Sequence, residues 1–299
     1  MILDCVVIGG GPSGLSAALV LGRARKNIIL FDEDKPRNAV THESHGFITR
    51  DGIKPSEFKK VAKADLIKYP NISVHNQRVV DIKKENNYFL IYSADGNTYQ
   101  SRKVILSTGL KDVLPSIKGI NKFYGTSVFI CPFCDGWELK DRALVVIGED
   151  ERIFHLTKLI SNWSKDIIVC TNGNTVLTAD QKQLLLSKKI VVTESEILSL
   201  EGVDGNLKRV LFKNGKEIVR DGGFMVTGLE QASPLAQKLG CLIKKNGGID
   251  TDEFGRTSVE GVYASGDNSL STSPQLITAA SEGSKVASRV ILDLIDEDF

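Results

Sequence analysis

The residues with the clearest chemistry are Cys131-Pro132-Phe133-Cys134-Asp135-Gly136-Trp137. Two thiols at this spacing can close a small disulfide ring or open to a dithiol, so the pair stores two electrons. If either sulfur sits at a helix N-terminus, backbone N–H groups and the helix dipole favour its thiolate. Asp135 follows at once and is placed to give or take the proton that sulfur chemistry requires. The bland alternatives are a zinc half-site and a pair of core thiols. Zinc needs four ligands, and the chain has no second CxxC and no HxxxH. The other cysteines, Cys5, Cys170 and Cys241, stand singly. An odd total of five is not a secreted disulfide framework, and a reducing cytoplasm suits it better.

The elements that must position this unit are those of an ordinary globular α/β chain. Its 299 residues suggest two domains, and 41% apolar with 25% charged residues can build a sizeable core. A net charge of +1 leaves no footprint for nucleic acid. No apolar run reaches the length of a membrane span. Met1 to Ile8 enters a strand directly, without a leader pattern.

Ile2 to Ile8 reads as a buried parallel strand, followed by Gly9-Gly10-Gly11-Pro12-Ser13-Gly14 and a helical stretch to Arg23. A second strand, Asn27 to Phe31, ends at Asp32-Glu33. This is a dinucleotide-binding Rossmann unit. Gly9, Gly11 and Gly14 allow the tight turn and the approach of a pyrophosphate. The helix N-terminus receives the charge, and Asp32, or else Glu33, hydrogen-bonds the ribose. A loop with His42 and His45-Gly46-Phe47 follows; as a metal pair these lack further ligands, so they line a cofactor or cap the loop. Pro55 to about Lys68 is helical, strands then recur near residues 72–74, 79–82, 88–92 and 98–99, and Val104 to Ser107 ends in Thr108-Gly109.

After the CxxC unit the pattern repeats. Ala143 to Ile147 is a strand ending in Gly148, Ile153 to Ile160 is helical, and Ile167 to Cys170 is a second strand. The fingerprint is broken, because Asp150 and Ile153 stand at the second and third glycine positions. Glu149, Asp150 and Glu151 would repel a pyrophosphate, and no arginine follows Cys170 to take a 2′-phosphate. The turn argues against tight NADPH binding in the usual mode. Near the C-terminus, Val262 to Ala264 leads through Ser265 to Gly266-Asp267, and Pro274-Gln275-Leu276 opens a helix reaching about Ile295. Asp267 can bond a cofactor hydroxyl or cap a turn, and the helix start can aim positive charge at an electron-rich carbonyl.

Taken together, GGGPSG, Thr108-Gly109, CPFCDG and ASGD resemble the low-molecular-weight thioredoxin reductase family of flavin-dependent disulfide oxidoreductases. The resemblance spans nearly the whole chain. It implies two Rossmann-like three-layer domains. A discontinuous FAD domain would comprise residues 1–113 and 243–299, and a domain of residues 116–240 would carry the redox disulfide. Gly9, Gly11, Pro12, Ser13, Gly14, Asp32, Glu33, Thr108, Gly109, Gly266, Asp267, Gln275 and Leu276 would hold FAD. Cys131 corresponds to the thiol attacking the partner, Cys134 to the thiol nearer the flavin, and Asp135 to the proton donor. A homodimer is also implied. Within the family, CPFCDGWE and the earlier PRNA…HxxHGF…RDG stretch resemble a branch that includes dithiol oxidases of natural-product pathways, which use oxygen. The segment Ser273-Pro274-Gln275 lacks the arginine that the family usually has before that glutamine.

Three functions compete at this point. One is a reductase of thioredoxin-like proteins or small disulfides, served by NADPH, ferredoxin or another donor. The second is an oxygen-dependent dithiol oxidase. The third is a non-catalytic flavin redox sensor, against which the intact CxxC-Asp unit argues.

Overall fold

A computed structural model describes residues 2–271 and 274–299, and Ser273 lies outside that range. The chain forms two compact units. One comprises residues 1–39, 46–111 and 229–299; the other comprises 40–45 and 112–228.

The first unit is built on a seven-stranded sheet. Its central strand, Ile2–Ile8, runs parallel to Ile28–Phe31 on one side and to Thr98–Leu106 on the other. Ile72–His75 extends the parallel part, Val262–Ala264 pairs parallel with the end of Thr98–Leu106, and Val79–Lys84 and Phe89–Ser93 form an antiparallel meander. Strands Ile28–Phe31 and Val262–Ala264 are buried throughout, as expected of a sheet covered on both faces. Residues 98–106 were expected as two short strands but form one. The polar run Gln100 to Lys103 hides the continuity. Ser101 is buried and donates to the Lys103 carbonyl, while Lys103 pairs with Glu297 of the C-terminal helix.

The first helix, Pro12–Arg23, packs along the C-terminal helix, Leu276–Asp298. The two come so close that a Cβ added at Gly283 would lie 2.0 Å from the Ser13 carbonyl oxygen. Ala17, Ala18, Val286, Ala287 and Val290 fill this interface, so the small residues fix where the first helix begins.

Residues 229–242 were assigned by sequence in part to the middle domain. They group with the first unit because Leu235, Ala236 and Cys241 pack in one core with Val6, Ile8 and Phe31.

The second unit holds a five-stranded parallel sheet in the order Val191–Thr193, Ile167–Cys170, Leu144–Ile147, Gly222–Met225, Val128–Phe129. A three-stranded antiparallel sheet, Ile197–Val203, Asn206–Phe212 and Glu217–Val219, packs in the same unit. The chain passes between units on either side of residues 40–45 and again within two paired strands, Leu110–Val113 and Gly228–Gln231. Among the described residues no helix is long and apolar enough to cross a membrane.

Candidate flavin cradle and redox disulfide

In the first unit the glycine turn does what its sequence requires. Gly9 has φ +110°, and a Cβ there would fall 2.1 Å from the Ser107 carbonyl oxygen. Its own N–H donates to the Phe31 carbonyl at 2.8 Å. Gly11 caps the first helix, with Pro12 at its first position, no side-chain cap and no acid in the first turn. Nothing stands within 4 Å of a Cβ at Gly11. An open approach to the uncapped end of a twelve-residue helix fits a pyrophosphate.

Three hydroxyls tie the predicted segments together. Ser13 Oγ lies 2.7 Å from Ser265 Oγ, Ser107 Oγ lies 3.0 Å from Ser265 Oγ, and Ser13 donates to Ser107 at 3.4 Å. Asn268, wholly buried, donates to the Leu106 carbonyl at 2.9 Å and to Thr108 Oγ1 at 3.4 Å. The glycine turn, the Thr108-Gly109 turn and the Gly266-Asp267 loop therefore meet at one place. Gly266 N donates to Glu282 Oε2 at 2.8 Å, and Arg37 Nη1 reaches Asp267 Oδ2 at 3.4 Å. Gln275 caps the C-terminal helix without a side-chain hydrogen bond, and Leu276 begins it.

Asp32 lies at the end of its strand, as expected, but it is 4% exposed and heavily engaged. Lys59 Nζ and Lys63 Nζ lie 2.8 and 2.9 Å from Oδ2, and Asp34 N donates to Oδ1 at 3.1 Å. Burial would raise its carboxyl, yet the two ammonium groups outweigh it and hold it below the usual range. Glu33 is exposed and pairs with Lys35 at 3.5 Å. The lysines, Arg37, Ser107, Ser265 and Asn268 were missed in the sequence. The PRNA stretch marked Arg37; nothing local marks the lysines.

In the second unit Cys131 and Cys134 form a disulfide. Cys131 caps a single helical turn, Pro132–Asp135, and its carbonyl accepts from the N–H groups of Cys134 and Asp135, each at 3.1 Å. The anticipated activating helix is therefore only four residues long. Few peptide dipoles align behind the sulfurs, and the helix contributes little to their acidity. The stronger feature is Asp135. Burial first, then the charge of Glu138, push its carboxyl up to about 7, against the pull of His45. A carboxyl with that affinity can both give and take a proton near neutrality. Phe133 and Trp137, 60% and 68% exposed, flank the pair; Phe133 packs edge-on against Trp163, and Lys140 lies over the Trp137 ring.

Asp135→Asn is expected to slow disulfide opening by about 10²–10⁴-fold, the usual worth of a positioned acid–base group. It carries a stability signature as well. A carboxyl raised in the folded state contributes stability that is complete below its unfolded value of 3.8 and is lost as pH rises through about 7. Asparagine never ionises, so the variant should melt higher than the parent at pH 8 and equally at pH 4. Thermal melts at both pH values check this.

The degenerate turn is organised differently from three bare carboxylates. Asp150 Oδ1 accepts from Arg152 N at 3.0 Å, and the Arg152 guanidinium clasps the same carboxylate through Nε and Nη2 at 2.9 and 2.6 Å. Glu149 Oε1 accepts from Asn172 Nδ2 at 2.6 Å. The first turn of helix Arg152–Ile160 thus meets an internal anion where its counterpart in the first unit is open. Among the described residues no group of His, Cys, Asp or Glu is arranged to hold a metal.

A two-domain α/β fold of the dinucleotide-binding type, with a redox CxxC in one domain, defines a class of flavoprotein disulfide oxidoreductases. The sequence pattern of the pyridine nucleotide-disulphide oxidoreductase family matches residues 3–150 and 156–283, and the chain belongs to that family. It is 30% identical to thioredoxin reductase tcpT of Claviceps purpurea, over 97% of this chain and 95% of that protein. It is 31% identical to thioredoxin reductase sirT of Leptosphaeria maculans, over 100% and 96%. A Bacillus anthracis crystal structure that carries the thioredoxin reductase name TrxB superposes with TM-score 0.96 at 44% identity, covering 99% of this chain and 100% of that one. The protein is an FAD-dependent oxidoreductase acting on sulfur groups, and the expectation of an α/β dinucleotide-binding fold is borne out.

Proposed function

We propose that the protein moves two electrons between FAD, the Cys131–Cys134 pair and a thiol or disulfide substrate, without taking NADPH in the usual mode. The observation that carries this reading is the Cys131–Cys134 disulfide beside a carboxyl poised at about 7. Gly9, Gly11, Pro12, Ser13 and Gly14 would hold the FAD pyrophosphate, with Thr108, Gly109, Gly266, Asp267, Gln275 and Leu276 around the rest of the cofactor. Asp32 would serve the ribose while Lys59 and Lys63 keep it ionised, and Glu33 is the weaker candidate. FAD supplies a two-electron acceptor or donor for the dithiol.

The chain's own residues perform the sulfur step. A substrate thiol passes its proton to Asp135, and the thiolate attacks Cys131 Sγ. The Cys131–Cys134 bond breaks and Cys134 leaves as thiolate. The second substrate thiol loses its proton to solvent, and its thiolate displaces Cys131, which leaves an oxidised substrate, a reduced pair and one proton held on Asp135. The substrate is a thioredoxin-like protein or a small dithiol, and the same steps in reverse reduce a disulfide. A cytoplasmic homodimer belongs to the same reading.

The Asp150–Arg152 clasp supports the second half of the proposal, because a pyrophosphate would have to displace an internal carboxylate from the helix start. It also favours partners other than NADPH, with oxygen or a ferredoxin-like protein as candidates. Calorimetric titration of the oxidised protein with NADPH should show no saturable binding at submillimolar concentrations. Tight, stoichiometric binding would refute this half while leaving the disulfide chemistry intact.

A further inference from the structure

Residues 40–45 belong to the unit that carries the disulfide. His45 Nε2 lies 3.6 Å from Glu138 Oε1 and 3.8 Å from Glu43 Oε2, with its side chain 20% exposed. Glu138 stands on the turn after the CxxC unit, three residues beyond Asp135. Asp135 in turn is pinned to that unit through its N–H on the Cys131 carbonyl. One imidazole and three carboxylates thus gather beside the redox pair.

We propose that His45 is a positioning residue for the sulfur step: paired with Glu138, it holds that carboxylate in place on the turn beside Asp135, and so keeps the Asp135 carboxyl able to accept a thiol proton. The inference rests on the functional reading above, since it concerns the proton that a substrate thiol gives up. Burial and Glu138 both oppose ionisation of Asp135, and His45 acts in the opposite direction. The charged groups facing His45 include Glu43 of its own loop, with Asp135 and Glu138 opposite. Lys140 is drawn instead over the Trp137 ring. Without His45, Asp135 would be more fully protonated at neutral pH. It could then donate a proton but not accept one, and thiol attack on Cys131 would slow.

The test follows the Asp135 carboxyl itself, by carbon NMR of protein labelled at aspartate, with Asp135→Asn to assign the signal. The wild-type midpoint should fall at about 7. In His45→Gln it should rise by ~1 pH unit, the scale on which one nearby opposite charge moves a carboxyl. His45→Arg, which places a cation beside Glu138, should return it towards the wild-type value. The pH profile of dithiol-driven thiol release should move by the same amount in each variant. A merely structural histidine would lower the rate at every pH and leave the midpoint in place. An unmoved midpoint in His45→Gln overturns the proposal. If that variant fails to fold, a His45→Arg midpoint well above wild type overturns it. Should Asp135 respond as stated while no dithiol opens the disulfide, the functional reading fails, and only the coupling of His45 to the Asp135 carboxyl stands.

Discussion

Cys134→Ser should yield a yellow protein with no measurable turnover. Serine cannot form the disulfide, and an alkoxide is a far worse leaving group than a thiolate, so the redox pair ceases to exist. Residues acting as one unit lose nearly all activity when a single member is removed, with losses of up to ~10⁶-fold known for such constellations. The flavin should stay, because its proposed cradle lies in the other compact unit, with cores of its own. Cys131 keeps its sulfur and should accumulate as a stable mixed disulfide with an added disulfide substrate. Visible absorbance, thiol trapping and turnover measured on one preparation check all three statements. Full turnover would remove Cys134 from the mechanism.

Gly9→Val should act on the opposite half, giving a destabilised protein with little bound flavin. At φ +110° a β-branched residue is strained by roughly 1–3 kcal/mol. Its Cβ would also lie 2.1 Å from the Ser107 carbonyl oxygen, and relieving that overlap costs about 1–3 kcal/mol more. Against a typical total stability of about 5–15 kcal/mol this is a large fraction. The displacement falls on Ser107, which belongs to the serine cluster that joins the glycine turn to the Gly266-Asp267 loop. Flavin content per chain and the urea midpoint should therefore fall together. Gly11→Ala is the informative contrast. Nothing lies within 4 Å of its Cβ, so the chain should fold normally and lose affinity only for a ligand that uses that space.

Much of this was legible in the sequence because it is local. The glycine spacing, the strand that precedes it and the acid that follows the second cysteine each declare a role within a few residues. The broken second fingerprint was legible for the same reason, since Asp150 occupies a position that needs glycine. What stayed hidden depends on segments far apart in the chain. Lys59 and Lys63 lie on an amphipathic helix where lysine is ordinarily a solvated charge, yet they close on Asp32. His45 lies some ninety positions before the disulfide, and its partnership with Glu138 exists only after folding. Arg152 follows three carboxylates in sequence, and only the folded chain shows its guanidinium turned back on Asp150. The two strand fragments between residues 98 and 107 merged because buried Ser101 and Lys103 find partners of their own, which a pattern of apolar residues does not reveal.

The central claim is that electrons reach the flavin through Cys131–Cys134 and not from NADPH. The most direct test is anaerobic: the flavin absorbance of the purified protein is followed after adding NADPH, and in a second sample after adding a dithiol. The account predicts no bleaching by NADPH and clear bleaching by the dithiol, with loss of the dithiol response in Cys134→Ser. Admitting air then separates an oxidase, in which colour returns quickly with peroxide, from an enzyme that needs another electron partner. Rapid bleaching by NADPH would contradict the account and make the protein a conventional NADPH-dependent reductase.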